Sequence, residues 1–266
     1  MTVLTMDHPA WAELEDGGRA RAVRTASGVW AVGWDRHGVH LACVDGSEEA
    51  KPAVITTDPA QVPSGAPAGL REGLTRLGVS QRLANPWLWD AITTAVLRQV
   101  VRAGQARTLY RNWCRTHGTR ISTPYDDLHL APAPDRVLAL GDDEFAAVGA
   151  RFHSTALRAA ATVYEANAGR WQCLNAPDLV AELVRIPRIG PWTAAAAASD
   201  FTGDFSVYPH DDLAVRTWAA KIAPTHDWPD KKDKAFGPMW TGWAGPDRTA
   251  LHTLTLSTLT WGSHAR

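Results

Sequence analysis

Two adjacent aspartates, Asp211 and Asp212, follow Ser206-Val207-Tyr208-Pro209-His210 and open a helical pattern that continues to Ile222. An Asp at a helix start acts as a cap or as a partner of the helix dipole, and one of the two is explained that way. The other needs a different role. A carboxylate at a helix N-terminus stays ionised near neutral pH, so it suits a developing positive charge better than it suits proton donation. Breaking a glycosidic bond builds such a charge on the sugar, through an oxocarbenium-like transition state. Ser206 to Pro209 reads as extended, and His210 as an exposed histidine at the helix start.

Some twenty residues upstream lies a second arrangement with chemical meaning. Asn175 to Ile186 carries apolar Leu179, Val180, Leu183 and Val184 at helical spacing, Pro187-Arg188-Ile189-Gly190 turns the chain, and Pro191 restarts a helix. Pro187 ends the first helix, Gly190 offers a backbone angle that other residues resist, and Pro191 suits a first helical turn. Such a corner aims unpaired backbone N–H groups and the positive end of a helix at one spot, where a phosphate fits. By itself the turn reads first as an ordinary corner between two helices. Ala194 to Ala198 let the second helix pack closely against its neighbours.

These residues must be held by the rest of the chain. Arg19 to Val44 alternates apolar and polar residues, with turn signals at Ala26-Ser27-Gly28 and Asp35 to Gly38, and predicts three short antiparallel strands. Lys51 to Gly69 holds four prolines and reads as a linker or an irregular surface crossing. From about Leu70 the period becomes helical. Helices are predicted at 86–115, 142–148, 154–168, 176–185, 191–200, 211–222 and 246–261. The expected organisation is a β-rich N-terminal subdomain and linker at 1–68 and a helical domain at 69–266, mainly α and α+β overall.

Composition excludes several classes. With 266 residues, 45% hydrophobic and 21% charged, the chain buries a sizeable core, and no apolar run approaches the roughly 18 residues of a membrane span. The acidic N-terminus does not read as a secretory signal, so a cytoplasmic location is expected. Cys43, Cys114 and Cys173 show no zinc spacing and are too few for a four-cysteine iron–sulfur cluster, so no metal ligands are expected. A net charge of −1 gives no global sign of a polyanion partner; any such field must be local. Trp113, Trp218 and Trp261, each within a helical pattern, are assigned to packing.

The order IPRIGPWTA, then about twenty residues, then YPHDDLAVR resembles the helix-hairpin-helix DNA glycosylase superfamily, and within it the AlkA-type 3-methyladenine DNA glycosylases. Asn85 to Trp113 looks like the helix that opens that family's helical core, and Trp243 to Gly262 like its closing helix. The resemblance spans roughly residues 70 to 262. It implies a helix-hairpin-helix helical core with a small antiparallel β-rich subdomain, acting in base excision on double-stranded DNA that carries a damaged or modified base. The enzyme would be a monomer with no membrane role, associated with the nucleoid when bound to DNA. It would need no cofactor beyond a structural monovalent or divalent cation at the hairpin.

Residue by residue, Asp212 matches the catalytic aspartate, with Leu213 after it and Arg216 four positions on, and Asp211 is its helix-capping neighbour. Trp192 stands where lyase-type relatives place a Schiff-base lysine, which implies a monofunctional glycosylase. Missing cluster cysteines point away from the endonuclease III and adenine-mismatch branches. By the same resemblance Gln99 and Val100 would enter the duplex, with Val100 as the wedge that fills the gap of a flipped base. The hairpin at Arg188, Ile189, Gly190 and Thr193 would grip phosphate, and Arg248 would meet the DNA backbone. Trp192, Tyr208 and one of Trp240 or Trp243 are the candidates to stack on the base, most readily an alkylated purine, whose charge favours aromatic faces. Two departures stand out: Arg188 replaces the family's usual glycine, and Pro191 its basic residue. They leave open a bulky or modified base, as in phage defence or self-resistance to a genotoxin. A third reading, from another class, is a non-catalytic helix-hairpin-helix DNA-binding module.

Overall fold

Alternation in the first fifty residues becomes sheet, and the 3.6-residue period after Leu70 becomes helix, in a computed structural model that describes residues 2–230 and 233–264. In chain order the elements are β1 (Thr2–Leu4), β2 (Ala12–Glu13), β3 (Arg19–Arg24), β4 (Gly28–Asp35), β5 (Gly38–Gly46), β6 (Val54–Thr57), α1 (Ala68–Leu77), β7 (Val79–Leu83), α2 (Leu88–Leu97) and α3 (Ala103–His117). There follow β8 (Thr119–Ser122), β9 (Asp127–Leu130), α4 (Pro134–Ala139), α5 (Asp142–Ala147), α6 (Ser154–Trp171), α7 (Ala176–Leu183), α8 (Pro191–Thr202), α9 (Leu213–Ile222), α10 (Phe236–Ala244) and α11 (Arg248–His264). Among the described residues, no helix is long and apolar enough to cross a membrane.

The chain divides into two compact units, each discontinuous in sequence. One comprises residues 8–53 and 84–203. Its antiparallel sheet has the order β2-β3-β4-β5, and the two turns fall where the Ser27-Gly28 and Arg36-His37 signals lie. Ala20, Ala22 and Val29 of that sheet pack on Leu128 and Leu130 of the β8–β9 hairpin. Every residue of α2 is buried, and it lies against α8, whose Ala194 to Ala198 are buried as well. Small side chains permit that close approach, which is the role the alanine run suggests. Gly203 ends α8 in the left-handed conformation (φ 75°), a position glycine occupies without strain.

Both ends of the α2–α8 pair are tied. At one end Asn85 N–H donates to the Asp200 carbonyl (3.2 Å) and Asn85 Nδ2 to Asp200 Oδ2 (2.8 Å). At the other, Gln99 Nε2 donates to Thr193 Oγ1 (2.8 Å) and to the Arg188 carbonyl (3.2 Å). The two helices therefore run antiparallel, and the hairpin sits at the end of the pair that carries Gln99.

Beneath the start of α2 lies a buried polar cluster. Asp90 accepts hydrogen bonds from Tyr110 Oη (2.6 Å), Arg21 Nη2 (3.1 Å) and Asn85 Nδ2 (3.1 Å), with His8 Nε2 at 3.4 Å. Burial alone would raise the Asp90 carboxyl; His8, Arg21 and Tyr110 outweigh it and hold the group well below the usual carboxylate range.

The other unit comprises residues 1–7, 54–83 and 204–266. Its sheet has the order β1-β7-β6, with β1 parallel to β7 and β6 antiparallel to it. The proline-rich 51–69 segment is thus more than a crossing, since Val54–Thr57 pairs in register with β7. Helices α1, α9, α10 and α11 complete the unit. Trp218 and Trp261 pack on one another at 6.4 Å, and in the first unit Trp113 stacks on Phe145 at 5.3 Å. The expected division at 68/69 lies within the second unit, just after Pro67 at the start of α1.

Candidate active site

In the first unit, the helix expected at 86–115 breaks in two. Helix α2 ends at Leu97, α3 begins at Ala103, and Val100 between them has φ 61°. A β-branched residue in the left-handed region costs about 1–3 kcal/mol. Val100 is also 88% exposed, so its side chain contributes no burial in return. Its neighbour Gln99 is held by the hairpin contacts described above, and the Gln99 carbonyl lies 3.4 Å from Nε2 of buried His153. Next to His153, Phe152 is 69% exposed. Nothing in the sequence marks Phe152, because an aromatic next to a helical run reads as core.

Strain at Val100 gives a two-sided expectation. Val100→Gly should raise the unfolding free energy by about 1 kcal/mol, because glycine adopts this φ freely. If Val100 enters a DNA stack, the same variant should lower single-turnover excision about tenfold. Denaturant melts and rate measurements on one preparation check both.

The hairpin differs from expectation in one respect. Gly190 has φ −84°, open to any residue, and the left-handed position is Arg188 at φ 69°. A Cβ at Gly190 would meet nothing within 4 Å, so the protein itself leaves space there. Ile189 is buried and its N–H donates to the Ile186 carbonyl (3.0 Å). Among the described residues, the amides of Gly190, Trp192 and Thr193 have no backbone acceptor. These three N–H groups at the start of α8 form the donor set for an anion. Arg188 is exposed beside them, and half-buried Trp192 lies under the Arg98 guanidinium (5.6 Å).

In the second unit, Ser206 and Val207 are not extended, because Phe205–Val207 forms a 3-10 turn capped by Asp204, whose side chain accepts from Ser206 N–H; the backbone extends only from Tyr208 (φ −57°, ψ 144°). Tyr208, 3% exposed, stacks on Phe205 (5.6 Å, 21°) and donates from its hydroxyl to Asp212 Oδ2 (2.7 Å). Asp212, not Asp211, occupies the cap position of α9, and its side chain makes no capping bond to its own helix. Asp211 is exposed and paired with Arg216 (2.9 Å). A Cβ at Gly237 would come 2.9 Å from Asp211 Oδ2, so a larger residue there would push the exposed Asp211 carboxylate aside. His210 is half-buried rather than exposed, and burial lowers its basicity.

The remaining sequence candidates fall as follows. Trp240 is fully buried (0% exposed), donates to Thr255 Oγ1 (3.1 Å) and stacks on Phe236, so no base reaches its face. Trp243 is half-buried against Trp228 and His226. Arg248 is exposed and pairs with Asp204 (2.7 Å). Gln99, Val100, Arg188, Ile189, Gly190, Trp192 and Thr193 thus gather in one unit, and Tyr208, Asp212, Trp240, Trp243 and Arg248 belong to the other.

Solved structures share this fold. One is an 8-oxoguanine glycosylase/lyase from Clostridium acetobutylicum in complex with double-stranded DNA containing cytosine opposite 8-oxoG (14% identity, 98% of this chain and 90% of that chain covered, TM-score 0.70). The chain has the helix-hairpin-helix DNA glycosylase fold. A 3-methyladenine DNA glycosylase from Archaeoglobus fulgidus superposes with a TM-score of 0.69 (17% identity, 94% and 89% covered). A DNA-3-methyladenine glycosidase from Bacillus halodurans gives 0.55 (14% identity, 79% and 91% covered). No family model matches the sequence, and no curated protein sequence does. In this chain α7 and α8 form a helical hairpin, and Asp212 opens the next helix, α9.

Proposed function

We propose that the protein is a monofunctional DNA glycosylase that removes a damaged or modified base by hydrolysis and leaves an abasic site. The observation that carries this reading is the state of Asp212. Its carboxylate makes no capping bond to its own helix and, among the described residues, pairs with no cation, while its neighbour Asp211 is paired with Arg216. In a protein that only binds a polyanion, a carboxylate held this way would repel the ligand and serve nothing.

In the reaction, the bond from C1′ to the base nitrogen breaks and its electron pair leaves with the base. Positive charge grows on the sugar, Asp212 stabilises it, and water adds to C1′ while losing a proton to the carboxylate. The hairpin amides of Gly190, Trp192 and Thr193 hold a phosphate, and Val100, aided by exposed Phe152, fills the stack. The chain has no lysine between Lys51 and Lys221, which supports hydrolysis by water over attack by an amine. The carbonyls of Ile186 and Arg188 accept from Ile189 N–H and Gln99, and a cation at the hairpin takes no part in the steps proposed.

An alkylated purine is the proposed base, since its own positive charge makes it a good leaving group. Interior burial of Tyr208 and Trp240 removes two of the four candidate stacking residues and favours, as a second reading, a bulky or modified base held less by aromatic contact. Excision on duplexes carrying methylated purines, deaminated bases, 8-oxoguanine or modified cytosines tests both. The expected result is strand scission only after alkali, on one substrate class, with no covalent adduct trapped by borohydride. A trapped adduct would overturn the monofunctional assignment; binding without excision across the set would return the protein to a DNA-binding module.

A further inference from the structure

The aromatic assigned from sequence to the base pocket has different work in this fold. On the reading of Asp212 as the catalytic carboxylate, we infer that Tyr208 is its positioning residue: the Tyr208 hydroxyl fixes Asp212 Oδ2 and turns Oδ1 toward the sugar. An aspartate at a helix cap normally accepts from the amides of its own first turn. Asp212 does not, although its backbone is built into the corner, with its N–H donating to the Pro209 carbonyl (3.0 Å) and its carbonyl accepting from Arg216 N–H (3.1 Å). What sets the side chain is the 2.7 Å hydrogen bond from Tyr208. Among the described residues, no hydrogen bond is made to Oδ1.

Tyr208 is itself immobile. Its ring is buried and stacked on Phe205, and Phe205 is covered by the Arg82 guanidinium (4.8 Å). Arg82 is anchored on Asp7 (2.9 Å), and the Phe205 N–H donates to His252 Nδ1 (3.0 Å). The phenol thus presents one donor at a fixed place, and the carboxylate meets it through Oδ2. Preorganised charge of this kind stabilises a transition state without reorganising during the reaction. The Arg216 guanidinium goes to Asp211 and to the carbonyls of Asp230 (3.3 Å) and Asp233 (2.6 Å), which leaves the aspartate's charge available.

Tyr208→Phe keeps the ring and its stack and removes the donor alone. The expected result is a fall of about 10- to 100-fold in single-turnover excision, the scale of a misplaced catalytic group, with DNA affinity unchanged. The acid limb of the pH–rate profile should move to higher pH, because the ionised carboxylate loses a donor. Other titratable groups of this corner, His210, Asp211 and Arg216 together with Arg82 and His252 around Phe205, are the same in both proteins. A second variant, 3-fluorotyrosine placed at 208, has a more acidic phenol, donates more strongly, and should move the limb the opposite way in an intact fold. An unmoved limb in both variants, or a rate loss that only tracks the folded fraction, overturns the inference. Asp212→Asn separates the two claims: if that variant still excises, the catalytic reading fails, whereas an inactive Asp212→Asn beside an unaltered Tyr208→Phe sinks only the positioning role.

Discussion

Asp212→Asn is expected to lower single-turnover excision by at least about 10²–10³-fold, the loss that removal of one preorganised electrostatic partner brings, while DNA affinity stays equal or rises. The substitution is isosteric, and the amide oxygen can still accept from Tyr208 Oη, so the corner should keep its geometry. What disappears is the negative charge that opposes the sugar cation. Asp211 cannot replace it, because Arg216 neutralises it and its oxygens lie against Gly237. Affinity moves the other way because the lost charge faced a polyanion, and that gain should shrink as salt rises. Rates with enzyme in excess and a binding titration on the same duplex measure both effects. Equal rates for the two proteins would remove Asp212 from the chemistry.

The corner between α7 and α8 and the opening of α9 were legible because their signals are local. A proline that stops one helix, a proline that starts the next and a paired aspartate at a helix opening each act within a few residues. Arg19 to Gly46 was legible for the same reason: its alternation and its turns agree. The break at Val100 was not. Nothing in Leu97-Arg98-Gln99-Val100-Val101 predicts a left-handed residue, since valine disfavours that φ strongly, and the turn exists because Gln99 reaches the hairpin at Arg188 and Thr193. Tertiary contact overrode local preference there. Arg188 misled in the same way, by taking a conformation that sequence assigns to Gly190. Aromatic residues carried the other error. Tyr208 and Trp240 suit a base pocket or a core equally well by type, and only their neighbours, Asp212 for one and Thr255 for the other, decide. Pairing of β1 with β7 spans some seventy residues, and no short pattern encodes it.

A second large effect is expected far from the chemistry, at Asp90. Asp90→Asn should destabilise the protein by about 3–5 kcal/mol, the usual result of removing one partner from a buried ion pair. Buried Arg21 would lose its counter-charge, and its Nε and Nη1 already lack hydrogen-bond partners among the described residues. The new amide would also point a donor at a site where Tyr110, Arg21 and Asn85 all donate. The sign with pH follows from the carboxyl being held low in the folded state. An ordinary aspartate in the unfolded chain titrates near about 4, so the stabilisation is fully present above that value and is lost as pH falls below it. The melting-temperature gap between wild type and Asp90→Asn should therefore be widest near neutrality and should close in acid. Replacing both partners, as in Asp90→Leu with Arg21→Met, should recover much of the loss. The consequence reaches function through the helix pair: Asp90 secures the start of α2, and Asn85 links it to Asp200 at the end of α8. The opposite ends of those helices carry Gln99 and the hairpin, so Asp90→Asn should weaken DNA binding at temperatures below its own melt. A variant that melts early but binds with wild-type affinity when folded would show that the cluster supports the core alone and leaves the hairpin to hold itself.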